Sequence, residues 1–327
     1  MIPADTLLIC LVRLVGAVPA PPEPQTTGRG RRRTYTDRLF VKAVLVMSLR
    51  RLHKAHELLS VLEQPTPEMQ ALREALTEGG AFPSRRTWER RLGALAYCLP
   101  AWVARLGRHL VALLNPWAAH GRAAAIDSTL LRARGGVWHK KDREAGVVPH
   151  TRIDTQAAWS KSGWHGWVYG WKLHLISATG DVWIPLAADL TPANRADNEQ
   201  ALELLPELPP LPLFVLGDTH YNAPDVRAAC RLRGCTLVAT RRGKYPHTDA
   251  GVEVRRVFHS LRSRAIENFN EQFKGIFDAH EQVPTRGLAQ TKRFALGAVF
   301  AYQVALLYRH EHGLSLRQGL KPFLRAA

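Results

Sequence analysis

The stretch "FVLGDTHYNA", residues 214–223, runs from apolar residues into an acid, Asp218. Its first residues have the β-branched and aromatic composition of a strand, so the acid comes where a buried strand ends. Charged side chains are rarely buried unless they are paired or bind a metal ion. An acid in this position therefore needs either a partner or a function.

A second acid interrupts another apolar segment. Asp127 lies inside "AAAIDSTLL", residues 123–131, at a place where a strand would ordinarily have Val or Leu. Taken singly, each acid is best explained as a cap or a member of a buried salt bridge. Two acids at equivalent positions of two strands favour a shared function instead.

A third acid follows from helical spacing in "RSRAIENFNEQFKGIF", residues 262–277. One apolar stripe of a helix is formed by Ile266, Phe269, Phe273, Ile276 and Phe277. Glu267 and Lys274 share one edge of that stripe, two turns apart, so the carboxylate can lean over the sheet. Glu271, one turn further on, is the alternative to Glu267.

The segments around these acids predict an α/β fold. Residues 168–177 and 181–190 read as a hairpin that turns through 178–181, and helices are expected at 195–205 and 223–233. A short strand, "CTLVA", follows the second helix. Strands alternating with helices predict a mixed sheet flanked by helices.

The N-terminal part, residues 1–115, is predicted to be a small α-helical domain. Helices are expected at 37–62, 67–78 and 84–99, and Ser84 is a suitable N-cap for the last of them. The bundle reads either as a helix-turn-helix, with Arg85 and Arg86 on DNA, or equally well as a helical bundle with a basic face. Arg90 and Arg91 would join the same contact.

A basic arm at residues 28–33 precedes these helices. Its arginines either lie in a minor groove or form a solvated charge run. Residues 1–20 are apolar and read first as a helix packed on the body, with a secretory signal or an artefact of the start site as alternatives. The stretch "FALGAVFAYQVALLY" is too short to cross a membrane and predicts a core helix.

Composition indicates the partner. The 327 residues carry 45 Lys and Arg against 28 Asp and Glu, a net charge of +17. Such an excess favours a polyanion, with nucleic acid ahead of an acidic membrane surface. The four cysteines lack the spacing of a zinc site or a disulfide framework, which fits a reducing cytoplasm.

Three converging carboxylates have a known chemical use. They could hold two divalent cations about 3.5–4 Å apart, one at the attacking and one at the leaving oxygen of a phosphodiester. Hard oxygen ligands suit Mg²⁺, with Mn²⁺ as the alternative. Lys274, on the same face, could reach a DNA phosphate.

With these motifs the chain resembles the bacterial insertion-sequence transposases that have a DDE catalytic domain of the RNase H-like fold. The resemblance covers roughly residues 120–310 and rests on "AIDST", on "GDTHY", and on Glu267 followed by Lys274. It implies a catalytic domain at 118–311 with a tail at 312–327. It also implies metal-dependent hydrolysis at transposon ends, transfer of the freed 3′-hydroxyl into target DNA, and a homodimer or larger assembly on DNA.

The chain departs from that family at two positions. Such transposases often have Tyr and Arg seven and four residues before the Glu, where this chain has Ser260 and Ser263. Arg262 and Arg264 lie close by and are the expected substitutes, Arg264 as a DNA contact.

Two further segments are candidates for DNA contacts. In "WSKSGWHGWVYGWK" the alternating aromatics read as hairpin core, whereas Trp164, beside His165, could stack on an unpaired base. In "TRRGKYPH", the basic side chains Arg241, Arg242 and Lys244 are expected to contact DNA phosphates. The alternative is that this segment is only a solvated loop.

Two other functions remain open at this point. A nuclease would use the same metal site without strand transfer. A non-catalytic basic DNA-binding protein would use the charge alone, and its acids would be structural.

Overall fold

The predicted mixed sheet flanked by helices is present as six strands that begin at Ala123. The computed structural model describes residues 6–22, 34–117, 122–163, 166–180, 182–210, 212–239, 249–317 and 319–327. The strands are β1 (Ala123–Arg132), β2 (Ala158–Ser162), β3 (Gly166–Ala178), β4 (Pro185–Pro192), β5 (Phe214–Leu216) and β6 (Thr236–Val238). The helices are α1 (Leu7–Ala17), α2 (Asp37–Leu49), α3 (Ala55–Leu62), α4 (Pro67–Thr77), α5 (Arg85–Leu95), α6 (Leu99–Leu114), α7 (Lys140–Glu144), α8 (Asp197–Leu204), α9 (Pro224–Leu232), α10 (Asp249–Arg262), α11 (Asn268–Phe277), α12 (Leu288–Glu311) and α13 (Lys321–Arg325).

Strand β1 is central to the sheet, whose order is β2-β3-β1-β5-β6. β3 pairs antiparallel with β1, and along its other edge it pairs with β2 and then β4. β5 is parallel to β1 and to β6. The acid of β1 therefore lies in the middle of the sheet, beside the end of β5.

The alternation of β1 directs Asp127 toward the third predicted acid. Side chains two residues apart share one face of a strand, so Asp127 faces the same way as Ala123 and Ala125. Those two alanines pack in one cluster with Ala265 and Ile266. The segment that carries Glu267 thus crosses the face of the sheet to which Asp127 points.

The predicted hairpin is confirmed, but its turn is wider than predicted. β3 and β4 pair antiparallel, and the amide of Ala178 donates to Ile184 O at 3.0 Å. Thr179 does not form part of a tight turn, because its amide and its hydroxyl both donate to Ala123 O of β1. The connection consequently occupies residues 179–184.

The predicted helix at 262–277 exists as the end of a longer helical run. α10 passes through a π-helical turn, Ser263–Glu267, into α11. The predicted apolar stripe is buried along its whole length. The π turn was not predicted from the sequence, and such turns occur frequently at functional sites.

The N-terminal helices share one core with the sheet. α1, predicted as a packed helix, packs against α2 and α4, and the predicted core helix near the C-terminus is α12. α12 contacts both α2 and α6. Its approach to α2 is close, because a Cβ at Gly297 would lie 2.4 Å from Val44 Cγ1. Within the described residues, no helix is both long and apolar enough to cross a bilayer.

Two segments differ from their predicted extent. The helix predicted at 37–62 is interrupted after α2, where Arg51 has a left-handed backbone with φ 55°. The predicted tail contains α13, which packs on α11 and buries Leu324.

Candidate active site

Asp127 lies in the middle of β1, opposite Leu175 of β3. The amide of Ser128 donates to its Oδ1 at 2.8 Å. Burial raises the pKa of Asp127 to about 6, and the neighbouring charges of Asp218 and Asp197 add to the rise while Arg262 opposes it. The carboxylate is thus held in a place where its negative charge is poorly compensated.

Asp218 comes two residues after the end of β5 rather than in the strand itself. It caps a short 3₁₀ turn, Thr219–Tyr221, by accepting from the amide of His220 at 2.8 Å. The ring of His220 lies 3.0 Å from the other oxygen, and this hydrogen bond raises the pKa of the imidazole.

Tyr221 explains the glycine of the "GDTHY" motif. A Cβ at Gly217 would lie 3.0 Å from Tyr221 Cβ, a tighter contact than most Cβ atoms make, so glycine gives the ring room to fold back. The ring is buried, with 1% of its surface exposed. Burial raises the pKa of its phenol well above the usual value, with Asp127, Asp197 and Asp218 as further causes. The phenol is therefore a neutral group among acids.

Glu267 ends the π turn, and its side chain is 58% exposed. The hydroxyl of Ser263 donates to its Oε1 at 3.2 Å. Arg262 Nη2 lies 3.6 Å from the same oxygen, and Arg262 Nη1 lies 3.7 Å from Asp127 Oδ2. A single guanidinium thus links two of the three predicted acids.

Asp197, the first residue of α8, is a fourth acid that sequence reasoning missed. It accepts from the Ser128 hydroxyl at 2.8 Å and lies 3.2 Å from Lys172 Nζ and 3.5 Å from His174 Nδ1. Burial lowers the pKa of His174 to about 3. An acid in the first turn of a helix is common, so the sequence carried no signal for this role.

The chemistry of these carboxylates suits a hard cation, but their present geometry suits one less well. Carboxylate oxygens are what Mg²⁺ prefers, and a cation would relieve the repulsion between Asp127 and Asp218. Within the described ranges, however, no three His, Cys, Asp or Glu side chains are arranged to hold a metal ion. The Glu267 carboxylate contacts the Arg262 guanidinium in place of a cation.

The sequence model of the family described as "Transposase DDE domain" matches residues 119–304, more than half of the chain. The chain belongs to the DDE transposase family. The matched region contains Asp127, Asp218 and Glu267 and covers the whole sheet. The predicted mixed sheet flanked by helices is confirmed, and it lies within the matched transposase domain.

Solved structures of transposases are similar to this transposase at low identity. A piggyBac transposase synaptic complex with hairpin DNA has 9% identity and a TM-score of 0.45, over 98% of this chain and 78% of the other. A pre-cleavage Mos1 transpososome has 13% identity and a TM-score of 0.22, over 87% and 82%. A mariner Mos1 paired-end complex with Mg has the same values. No curated protein matches the chain.

The predicted DNA contacts of the transposase differ in exposure. Lys274 is half-buried on α11, where burial lowers its pKa, and Arg264 is exposed. On α5, which Ser84 caps as predicted, Arg86 is exposed while Arg85 bonds Glu89 at 2.9 Å.

Arg91 does not point outward as the helix-turn-helix interpretation requires. It bonds Asp37 at 2.5 Å and its guanidinium stacks over Phe40, because position 91 falls on the inner side of α5.

Trp171 is core, as predicted, whereas Trp167 is 66% exposed. Other predicted contacts lie outside the described residues, namely the arm at 28–33, Trp164, His165, Arg241, Arg242 and Lys244.

Proposed function

We propose that this DNA transposase is encoded by an insertion sequence, binds the transposon ends, cleaves them, and joins the freed 3′-hydroxyl to target DNA. What supports the proposal is that the charge of Asp218 acts on the buried Asp127, while the Arg262 guanidinium lies 3.7 Å from Asp127 and 3.6 Å from Glu267. Asp127, Asp218 and Glu267 are the proposed catalytic residues.

Each proposed acid is oriented by a local contact. The amide of Ser128 fixes the Asp127 carboxylate, and the amide of His220 fixes Asp218. The Ser263 hydroxyl restrains Glu267. Contacts of this kind hold reacting groups in place before the substrate arrives, which contributes to catalysis by limiting reorganisation.

Mg²⁺, or Mn²⁺ in its place, would be held by these three carboxylates, and when bound it supplies activation of an attacking oxygen and stabilisation of a leaving oxygen. The chain's own basic groups would bind the DNA. Lys274 and Arg264 lie on the helical run that carries Glu267, and Arg86 lies on α5. The net charge of +17 supports DNA as the partner.

Strand transfer is what separates a transposase from a nuclease with the same site. A cut end must stay bound after hydrolysis, since retention makes the joining step effectively unimolecular. We propose that a homodimer or larger assembly holds the two ends.

The test is incubation of the purified chain with its flanking DNA ends and a target duplex in Mg²⁺. Cleaved and joined products are expected from wild-type protein and neither from D127N. Repeated cleavage without any joined species, across several target DNAs, would favour the nuclease instead.

A further inference from the structure

A cavity of about 80 Å³ lies between the end of α2 and the start of α12, where the N-terminal helices meet the catalytic half. Apolar residues of both halves form part of its wall. Its polar lining includes Arg51, His53, Asp278, Thr285, Gln290 and Arg293.

Arg293 is the unusual member of this lining. It is 8% exposed, and in the described part of the chain its one acceptor is His53 O, 2.8 Å from Nη2. A guanidinium has five N–H donors and is almost never buried without a partner. Burial lowers its pKa to about 10 without removing the charge at neutral pH. An anion in the cavity would supply acceptors for its remaining N–H donors.

Further positive charge surrounds the same space. Burial lowers the pKa of His53, and the charges of Arg134 and Arg293 add to that lowering although Glu57 opposes it. Arg134 donates to the carbonyl of Pro284, which lines the cavity. The neighbourhood of His53 thus contains two arginines and one acid, Glu57, whose carboxylate also accepts from the His53 amide at 2.7 Å.

Arg51 extends the basic lining outward. It lies 2.5 Å from Asp278, and both residues have left-handed backbone with φ 55° and 53°. A second cavity of about 370 Å³, lined by Arg51 and Arg325, adjoins the first. Asp278 is the one acid that lines either cavity among the described residues, and it also contacts Arg325 at 3.7 Å. Two arginines, Arg51 and Arg325, therefore contact this one carboxylate, and Arg293 lines the first cavity without a carboxylate partner among the described residues.

We propose that this junction is a phosphate-binding site, with Arg293 as the buried ligand and Arg51 as the outer one. The planar guanidinium fork matches two phosphate oxygens, which gives both affinity and a fixed orientation. The phosphate belongs either to the DNA backbone or to a free anion.

The DNA form of the site rests on the proposed function. Contacts to the DNA backbone fix the register and orientation of a protein on a duplex. A phosphate held here would tie the DNA to α2 and α12 together. It would therefore set the DNA's position relative to the helices that pack around the sheet.

The first experiment measures Tm of the full chain in millimolar phosphate and in chloride of equal ionic strength. Phosphate should raise the wild-type Tm by about 2 °C or more at saturation. R51Q, at a half-exposed position, should lose most of the rise, and R293K should keep part of it. R105Q, at an exposed position of α6 that lines neither cavity, is the matched control and should respond like wild type. General salt effects act equally on all four proteins.

The second experiment identifies the source of the phosphate by measuring DNA affinity against salt. If the site holds a backbone phosphate, R51Q and R293K should each weaken binding several-fold and flatten the salt slope by up to about 0.9, while R105Q should do less. Unchanged DNA binding with an intact Tm effect would assign the site to a free anion.

Two results overturn the inference. One is an equal Tm response of R51Q, R293K, R105Q and wild type to phosphate. The other is the absence of any phosphate-specific rise in the wild-type Tm, together with unchanged DNA affinity of R51Q and R293K. Failure of the proposed function looks different. Wild-type protein would then show no DNA binding or cleavage, while the Tm arm would still report on the cavity.

Discussion

The guanidinium of Arg262 lies 3.7 Å from the carboxylate of Asp127. Its other terminal nitrogen lies 3.6 Å from Glu267, so one positive charge stands between two proposed catalytic acids. A divalent cation held by those acids would compete with this guanidinium for the same oxygens. Occupation of the site and the position of Arg262 are therefore expected to be coupled.

The first prediction concerns this coupling. R262Q should lower stability by no more than about 1 kcal/mol, because ion pairs of this length and exposure contribute little. It should also increase the Tm gain that Mg²⁺ or Ca²⁺ gives without DNA, since the competing charge is gone. R264Q, an exposed arginine two residues on, is the control. Equal gains for R262Q and wild type would show that Arg262 does not compete.

The second prediction tests the three acids. D127N, D218N and E267Q should each reduce cleavage in Mg²⁺ about 100-fold or more, because groups that stabilise developing charge commonly have effects of this size. DNA binding should survive in all three variants. E271Q is the matched control, since Glu271 lies one turn on and is 76% exposed. Loss of cleavage in E271Q with normal cleavage in E267Q would exchange their roles.

The third prediction concerns the buried acid beside the site. D197N leaves Lys172 with a buried charge and no carboxylate partner, so it should destabilise the protein by about 3 kcal/mol in urea unfolding. The double variant K172M D197N removes that charge as well and should recover much of the loss. A double variant as unstable as the sum of both single variants would contradict the pairing.

The fourth prediction separates two neighbouring arginines of α5. Arg86 is exposed, whereas Arg85 already bonds Glu89. R86Q should therefore weaken DNA binding and lower the salt slope by about 0.9, and R85Q should do less. E89Q should strengthen binding because it frees Arg85. Binding that is unchanged in R86Q and E89Q alike would remove α5 from the DNA interface.

The fifth prediction concerns retention of the cut end. K274A should reduce joining of pre-cut ends more than it reduces general DNA affinity, because its ammonium has no hydrogen bond or ion pair in the described ranges and is available for a phosphate. W167A and W164A should behave similarly if the aromatics stack on DNA. K140A, on the short helix α7, is the charge-matched control. Equal losses of joining and affinity in K274A would make it a general contact.

The sequence predicted the elements that depend on local patterns. The apolar stripe from Ile266 to Phe277 predicts a helix because burial of one helical face requires that spacing, and the side chains are buried. "AAAIDSTLL" predicts β1 because a short, nearly continuous apolar run is typical of a buried strand. Asp127 and Asp218 stood out because each breaks or ends an apolar run, and Glu267 stood out because it borders the apolar stripe of a helix.

What the sequence could not predict depends on contacts between distant segments. Arg262 meets Asp127 only because the end of α10 packs against β1, and Asp197 meets Lys172 and His174 only through the packing of α8 on β3. Arg91 points inward because α2 lies beside α5. Local spacing determines which face of an element is apolar, and it therefore determined the fold class and the three acids. The partner of each charge is decided by which elements pack together, and for Arg262, Asp197 and Arg293 only the tertiary structure supplied it.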